Sequence, residues 1–157
     1  MTFGTRAVSP LEGRRSRTGD LSVLQPERLT IVHGEEPSGT ADAVLSLAPG
    51  RWLLVHERPA PEGGDSLDRL DEGRGVDVSQ GFVRLRVSGR ARALLATGIS
   101  IDLHPDVFVV GDGAATAYRG IFVVLHAVDD HTLDLYTPRS YAPSLWDALE
   151  DAALGLA

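Results

Sequence analysis

The chain has 157 residues, 43% of them hydrophobic and 24% charged, which is the size and composition of one globular domain rather than of a disordered chain. A formal net charge of -7 argues against non-specific nucleic-acid binding, and no apolar run reaches the length of a membrane span. There is no cysteine and all 15 basic residues are arginine, which excludes thiolate metal sites, cysteine nucleophiles, Schiff-base lysines and a P-loop lysine.

Residues 1–27 hold few periodic apolar positions and read as an extended N-terminal arm, loosely structured or ordered by a partner. Its basic cluster, Arg14, Arg15 and Arg17, sits among Gly13, Ser16, Thr18 and Gly19, the composition of a flexible lead-in. The opening stretch lacks the apolar run of a secretory signal, so a cytoplasmic protein is expected. Residues 28–157 read as a single α+β domain. Leu29 to His33 is a first strand, closed by Gly34 and a polar stretch. Ala43 to Leu47 and Trp52 to His56 flank Pro49-Gly50, the chemistry of a type II turn, and predict a hairpin. Arg58 to Asp65, rich in Pro and Gly, predicts a loop. Ser66 then caps a short helix carrying Leu67 and Leu70, ended by Gly73 and Gly75.

Val76 and Val78 open an extended segment that breaks at Ser79-Gln80-Gly81. Phe82 to Val87 alternates, with Val83, Leu85 and Val87 on one face and Phe82, Arg84 and Arg86 on a solvated or partner-covered one. Ser88 is placed as the N-cap of a helix bearing Ala91, Leu94 and Leu95, with Gly98 as its C-cap. Pro105 precludes a long helix over Ile99 to Val110, so a compact turn leading into extended chain is expected. Thr116 to Tyr118, Ile121 to Ala127 and Thr132 to Tyr136 predict strands, the last two joined at Asp129-Asp130-His131. A final helix follows Ser140, with Pro143 early in it and Leu145, Trp146, Leu149, Ala152 and Ala153 along one face. The sum, about seven strands and about three helices in hairpin order, predicts a mixed, mostly antiparallel sheet.

Few groupings here can carry chemistry. Gly111-Asp112-Gly113-Ala114-Ala115-Thr116 has the glycines of a dinucleotide loop, but strand-like sequence follows where a helix is required, so a turn between strands is the simpler reading. His126, Asp129, Asp130, His131 and Asp134 are the densest set of metal-ligand types, yet they span a hairpin in which Asp-Asp is ordinary turn chemistry. His104, between Asp102 and Pro105, has no serine in a nucleophile elbow to serve and reads as bracing a turn. Arg139, between Pro138 and Ser140, suits bidentate binding of a carboxylate, capping of backbone carbonyls or pairing across an interface. Phe82 beside Arg84 and Arg86 has the make-up of an interface anchor. No catalytic, cofactor-binding or metal-binding set is assigned.

Three passages carry a family resemblance. Val76-Asp77-Val78-Ser79 leads into the strand Phe82 to Val87 and Ser88-Gly89. Leu94-Leu95-Ala96-Thr97-Gly98 runs to Asp102-Leu103-His104-Pro105, with Phe108, Gly111 and Thr116 in step. Asp134 is followed by Pro138-Arg139-Ser140-Tyr141-Ala142 and then Leu145-Trp146. In these passages the chain resembles the gamma subunits of heterotetrameric sarcosine oxidase, with weaker matches at Ser9-Pro10-Leu11 and Pro49 to Leu54.

The resemblance implies a fold related to the aminomethyltransferase/folate-binding family. It also implies a non-catalytic subunit in a complex that demethylates sarcosine to glycine, passes the one-carbon unit to tetrahydrofolate and produces hydrogen peroxide. FAD, FMN, NAD and tetrahydrofolate are then expected in the alpha and beta subunits, beside a small zinc-binding delta subunit. Phe82, Arg84, Arg86, His104, Phe108, Arg139 and Tyr141 become the expected interface residues. The stretch Gly34 to Asp42 is shorter than in comparable members, which leaves other N-methylated amines open as substrates. The alternative is a stand-alone folate-binding or aminomethyltransferase-like module, with Asp77 or Asp102 engaging the pterin.

Overall fold

The structure is a computed structural model that describes residues 9–24, 28–37, 41–58 and 75–156. Along the chain it runs β1 (Leu21–Leu24), β2 (Arg28–His33), β3 (Ala43–Ala48), β4 (Arg51–His56), β5 (Gly75–Asp77), β6 (Phe82–Val87) and α1 (Ala91–Ala96). It continues through β7 (Gly113–Tyr118), β8 (Ile121–Asp129), β9 (Thr132–Pro138), a 3-10 turn at Arg139–Tyr141 and α2 (Ala142–Leu156). The α+β class is as expected, but the single mixed sheet is not. The strands form a five-stranded sheet, β1-β6-β9-β8-β7, and a four-stranded sheet, β3-β4-β2-β5, and every pairing is antiparallel. Among the described residues there are two α-helices. The helix expected after Ser66 lies outside the described residues.

Period-two patterning explains the layers. On β6, β9 and β8 the residues Val83, Leu85, Val87, Leu133, Leu135, Val123, Leu125 and Ala127 share one face and join the largest core cluster. Both helices cover that face. Leu94 and Leu95 come from α1, and Leu145, Trp146, Leu149, Ala152 and Ala153 recur on α2 at helical spacing. Each fully buried Leu contributes roughly 1.5–3 kcal/mol, so this helix-on-sheet layer dominates the stability of the fold. On the opposite face, Val124 and Tyr136 meet Leu29, Leu45, Leu53 and Val55 of the four-stranded sheet. A small cluster around Val32 and Leu54 lies on that second sheet's far side.

The turns follow their sequences. Pro49-Gly50 joins β3 to β4, with Gly50 at φ +69° as the turn requires. Arg119 and Gly120 both have positive φ and connect β7 to β8 as a tight hairpin. Two local expectations change. Ser88 does not cap α1, whose N-cap is Arg90; instead the Ser88 N–H donates to the Asp20 carbonyl oxygen at 2.9 Å. Gly98 is needed for space rather than for a left-handed backbone, because a β-carbon there would lie 2.7 Å from the Tyr118 ring and from Arg119 Cγ.

The lead-in is more ordered than its sparse periodicity suggests. Leu11 sits in the main core, and β1 pairs with β6 along its whole length. Arg14 forms an ion pair with Asp147 of α2. The Arg17 N–H and Nε both donate to Glu150 Oε2, at 2.9 and 3.1 Å. Ion pairs and a few separate apolar anchors, Leu11 and Leu21, tie residues 9–24 to the body.

Candidate partner interface

The residues marked out by the sequence occupy three places. Phe82, Arg84 and Arg86 share the face of β6 that meets the four-stranded sheet, which buries Arg84 and covers Phe82 and Arg86 in part. Arg84 is only 5% exposed. Its guanidinium makes two hydrogen bonds to the Glu57 carboxylate just beyond β4, lies 3.7 Å from Asp134 and sits 6.0 Å from the centre of the Tyr136 ring. Arg86 binds the same Asp134 with a fork, at 2.7 and 2.9 Å. Burial would lower the Arg84 pKa, but Glu57, Tyr136 and Asp134 together outweigh it and keep the group charged. Asp134 does the same for Arg86. Burial pushes the Tyr136 hydroxyl up to about 12. His126, paired with Asp134 in register, is held below its ordinary pKa by burial.

His104 and Phe108 lie in the turn between α1 and β7. His104 braces it. Its N–H donates to Asp102 Oδ1 at 2.9 Å, its Nδ1 accepts from the Asp106 N–H, and its carbonyl oxygen accepts from Val107 and Phe108. Phe108 points into the core, and Arg92 clasps the turn by donating to the Leu103 and Phe108 carbonyl oxygens at 2.7 and 2.8 Å. The extended chain expected after this turn is a second turn at Val110-Gly111, and β7 starts earlier than expected, at Gly113. The glycine-rich passage is therefore half strand. A β-carbon on Gly113 would fall 2.5 Å from Leu45 Cδ2, so this glycine lets the two sheets close on one another.

Arg139 and Tyr141 stand at the opposite end of the five-stranded sheet, at the entry to α2. The Arg139 N–H donates to the Gly81 carbonyl oxygen at 2.8 Å, and Tyr141 is 51% exposed. Sequence reading missed several exposed apolar residues. Val107 is 60% exposed, Val109 and Val110 accompany it, and Phe122 stands out of β8 beside Pro138. Val107, Val109 and Val110 had a signal, a run of apolar residues after a proline turn. Phe122 had none, since it belongs to an ordinary apolar strand. Glu57 also escaped notice, and Asp134, weighed as a metal ligand, is instead the partner of Arg86.

These groups do not converge on a reaction centre. Among the described residues no cluster of three or more His, Asp or Glu is placed to hold a metal ion. Asp134 is engaged by Arg86, and Asp129 accepts the His131 N–H at 2.8 Å as a turn residue. No described helix is long and apolar enough to cross a membrane. What remains is a sandwich with a braced charged seam and apolar or arginine-bearing surface at both ends.

No curated protein matches the chain by sequence. Among solved structures, the fold is similar to a chain of the heterotetrameric sarcosine oxidase from Corynebacterium sp. U-96, solved in complex with pyrrole 2-carboxylate. The TM-score is 0.70 and the identity 21%, covering 88% of this chain and 94% of that one. Residues 19–155 match the family described as "Sarcosine oxidase, gamma subunit family", a span that takes in all nine strands and all but the last residue of α2. With its strand order, its seam and its terminal helix all inside that match, the chain belongs to the sarcosine oxidase gamma subunit family.

Proposed function

We propose that this chain is the non-catalytic gamma subunit of a cytoplasmic, heterotetrameric, flavin-dependent oxidase acting on sarcosine or a related N-methyl amine. The observation that carries this reading is the family match over residues 19–155, on a chain in which Asp102, Asp129, Asp134 and His104 are engaged in turns and internal ion pairs. The complex demethylates its amine and passes the one-carbon unit to tetrahydrofolate. FAD, FMN, NAD and tetrahydrofolate reside in the alpha and beta subunits, and a delta subunit completes the assembly. The helix-covered sheet is in keeping with a relationship to the aminomethyltransferase fold.

Docking uses the ends of the sandwich, the exposed His104 and Tyr141 and the half-buried Arg139, with Phe82 and Arg86 at the rim of the seam. Arg84 and Phe108 support those surfaces from inside. The stand-alone folate-binding alternative is less well supported, because its two carboxylates are engaged. Asp77 accepts from the Ser79 N–H and hydroxyl, and Asp102 accepts from the His104 N–H.

Co-expression with large flavin-binding subunits tests the reading. The chain should co-purify with them, improve their recovery and show no turnover by itself. Oxidation of any N-methyl amine by the purified chain, or its exclusion from the complex, overturns the proposal. Calorimetric titration with tetrahydrofolate separates the alternative, for which heat of binding to the isolated chain is required.

A further inference from the structure

Among the described residues, most guanidinium groups are answered within the chain. Arg14 pairs with Asp147, Arg17 with Glu150 and Asp151, Arg84 with Glu57 and Arg86 with Asp134. Arg90 and Arg92 donate to backbone carbonyl oxygens, and Arg119 stacks on the Tyr118 ring. Arg139 differs. Its backbone is pinned by the bond to Gly81, yet its side chain has no hydrogen bond, ion pair or ring partner among the described residues.

That side chain lines an open groove of about 490 Å³ together with Pro10, Gly81, Pro138, Ser140 and Pro143. On a chain of net charge -7, this groove has no acidic lining residue and a single cation. Three of its walls are proline rings, already restricted in φ, so little order remains to be imposed when something docks. A planar fork in an apolar, pre-set surround favours one carboxylate flanked by apolar groups. Nucleic acid would need several cations in line, which the groove lacks.

We propose that this groove receives a segment of a large partner subunit, whose Asp or Glu carboxylate binds the Arg139 fork while its apolar neighbours pack on Pro10, Pro138 and Pro143. The inference rests on the gamma-subunit reading and gives that docking surface its polar anchor.

The test uses the co-expressed complex. Loss of an interfacial charge partner costs enough that Arg139→Gln should weaken association roughly 30-fold or more and Arg139→Glu further, with Arg139→Lys between wild type and Arg139→Gln. The wild-type advantage over Arg139→Gln should shrink as salt is raised. Independently, a photo-crosslinking residue in place of Ser140, in the purified complex, should capture a large-subunit peptide with an Asp or Glu beside the attachment point. Equal affinity of wild type and all three variants overturns this proposal while leaving the gamma-subunit reading intact. Capture of a peptide without a carboxylate, or of a second copy of this chain, does the same. A wild-type chain that stays out of the complex defeats both. Melting curves of the isolated variants keep a folding defect from passing as an interface effect, and the crosslink does not depend on them.

Discussion

The two faces of the five-stranded sheet are both buried, by opposite means. The face under α1 and α2 carries no charge and is almost all hydrocarbon, with Leu85, Leu125, Leu133 and Leu135 fully enclosed and only the hydroxyls of Tyr118 and Thr137 polar among its fully buried residues. The face under the second sheet carries Arg84, Arg86, Asp134 and Tyr136 across two adjacent strands, with Glu57 reaching in from the edge. The first is held by area removed from water and by close packing, with no member needing a particular charged partner. The second combines the apolar cluster around Val124, Leu45 and Leu53 with a paired charged seam, and each member of that seam is costly without the others. Burial alone therefore does not say how a surface is stabilised.

The largest contrast should come from truncation on the helix face. Leu135→Ala, at a fully enclosed position on a central strand, should cost about 4 kcal/mol in chemical denaturation, and a polar residue there more. On the seam, Asp134→Ala should cost roughly 3 kcal/mol, the low end for a broken buried pair because Glu57 still holds Arg84. The double substitution Arg86→Met with Asp134→Leu, which removes both members of the fork and leaves Arg84 on Glu57, should recover most of that loss. A double variant as unstable as the single would mean that the seam is held by something other than charge pairing.

A third, smaller effect concerns the lead-in. Burial would raise the pKa of Glu150, but bonds from Arg17 and Ser16 outweigh it and hold the group below the usual carboxylate range. The unfolded chain then binds the proton more readily than the folded one. The stabilisation is complete above the ordinary glutamate pKa of about 4.3 and is lost as pH falls through the lower folded value. Glu150→Gln should cost about 1 kcal/mol at neutral pH, since Arg17 is largely exposed, and should flatten the acid limb of the stability curve. Hydrogen exchange should show residues 14–24 loosening first; uniform loosening of the whole sheet would refute this assignment.

Local patterns were legible where one residue's neighbours decide its fate. Pro49-Gly50 marked the β3–β4 hairpin, alternation marked β6, and Leu145, Leu149 and Ala152 marked the buried stripe of α2. The family passages around Asp102-Leu103-His104-Pro105 and Pro138-Arg139-Ser140-Tyr141-Ala142 were legible too, and both fall within the matched span. β1 was not legible, because its apolar signal is only Leu21 and Val23 in a four-residue strand, and its other anchors, Arg14, Arg17 and a backbone ladder, have no periodic signature. Nor was the fate of Arg84. An arginine alternating with valine and leucine reads as solvated, and only the return of Glu57 from a residue 27 positions earlier makes it a core residue.

The sequence by itself determined the class of the fold, most of its strands, the absence of cysteine and lysine chemistry, and the family, since these depend on composition, short-range periodicity and short motifs. Tertiary structure decided that the strands divide into two sheets, that Gly98 and Gly113 are clearance positions, and that Arg139, alone among the candidate interface arginines, keeps an unclaimed fork. The physical reason is range. Patterning along a strand records which side is apolar, whereas the partner of a charge or the clearance at a glycine is set by chain segments far away in sequence.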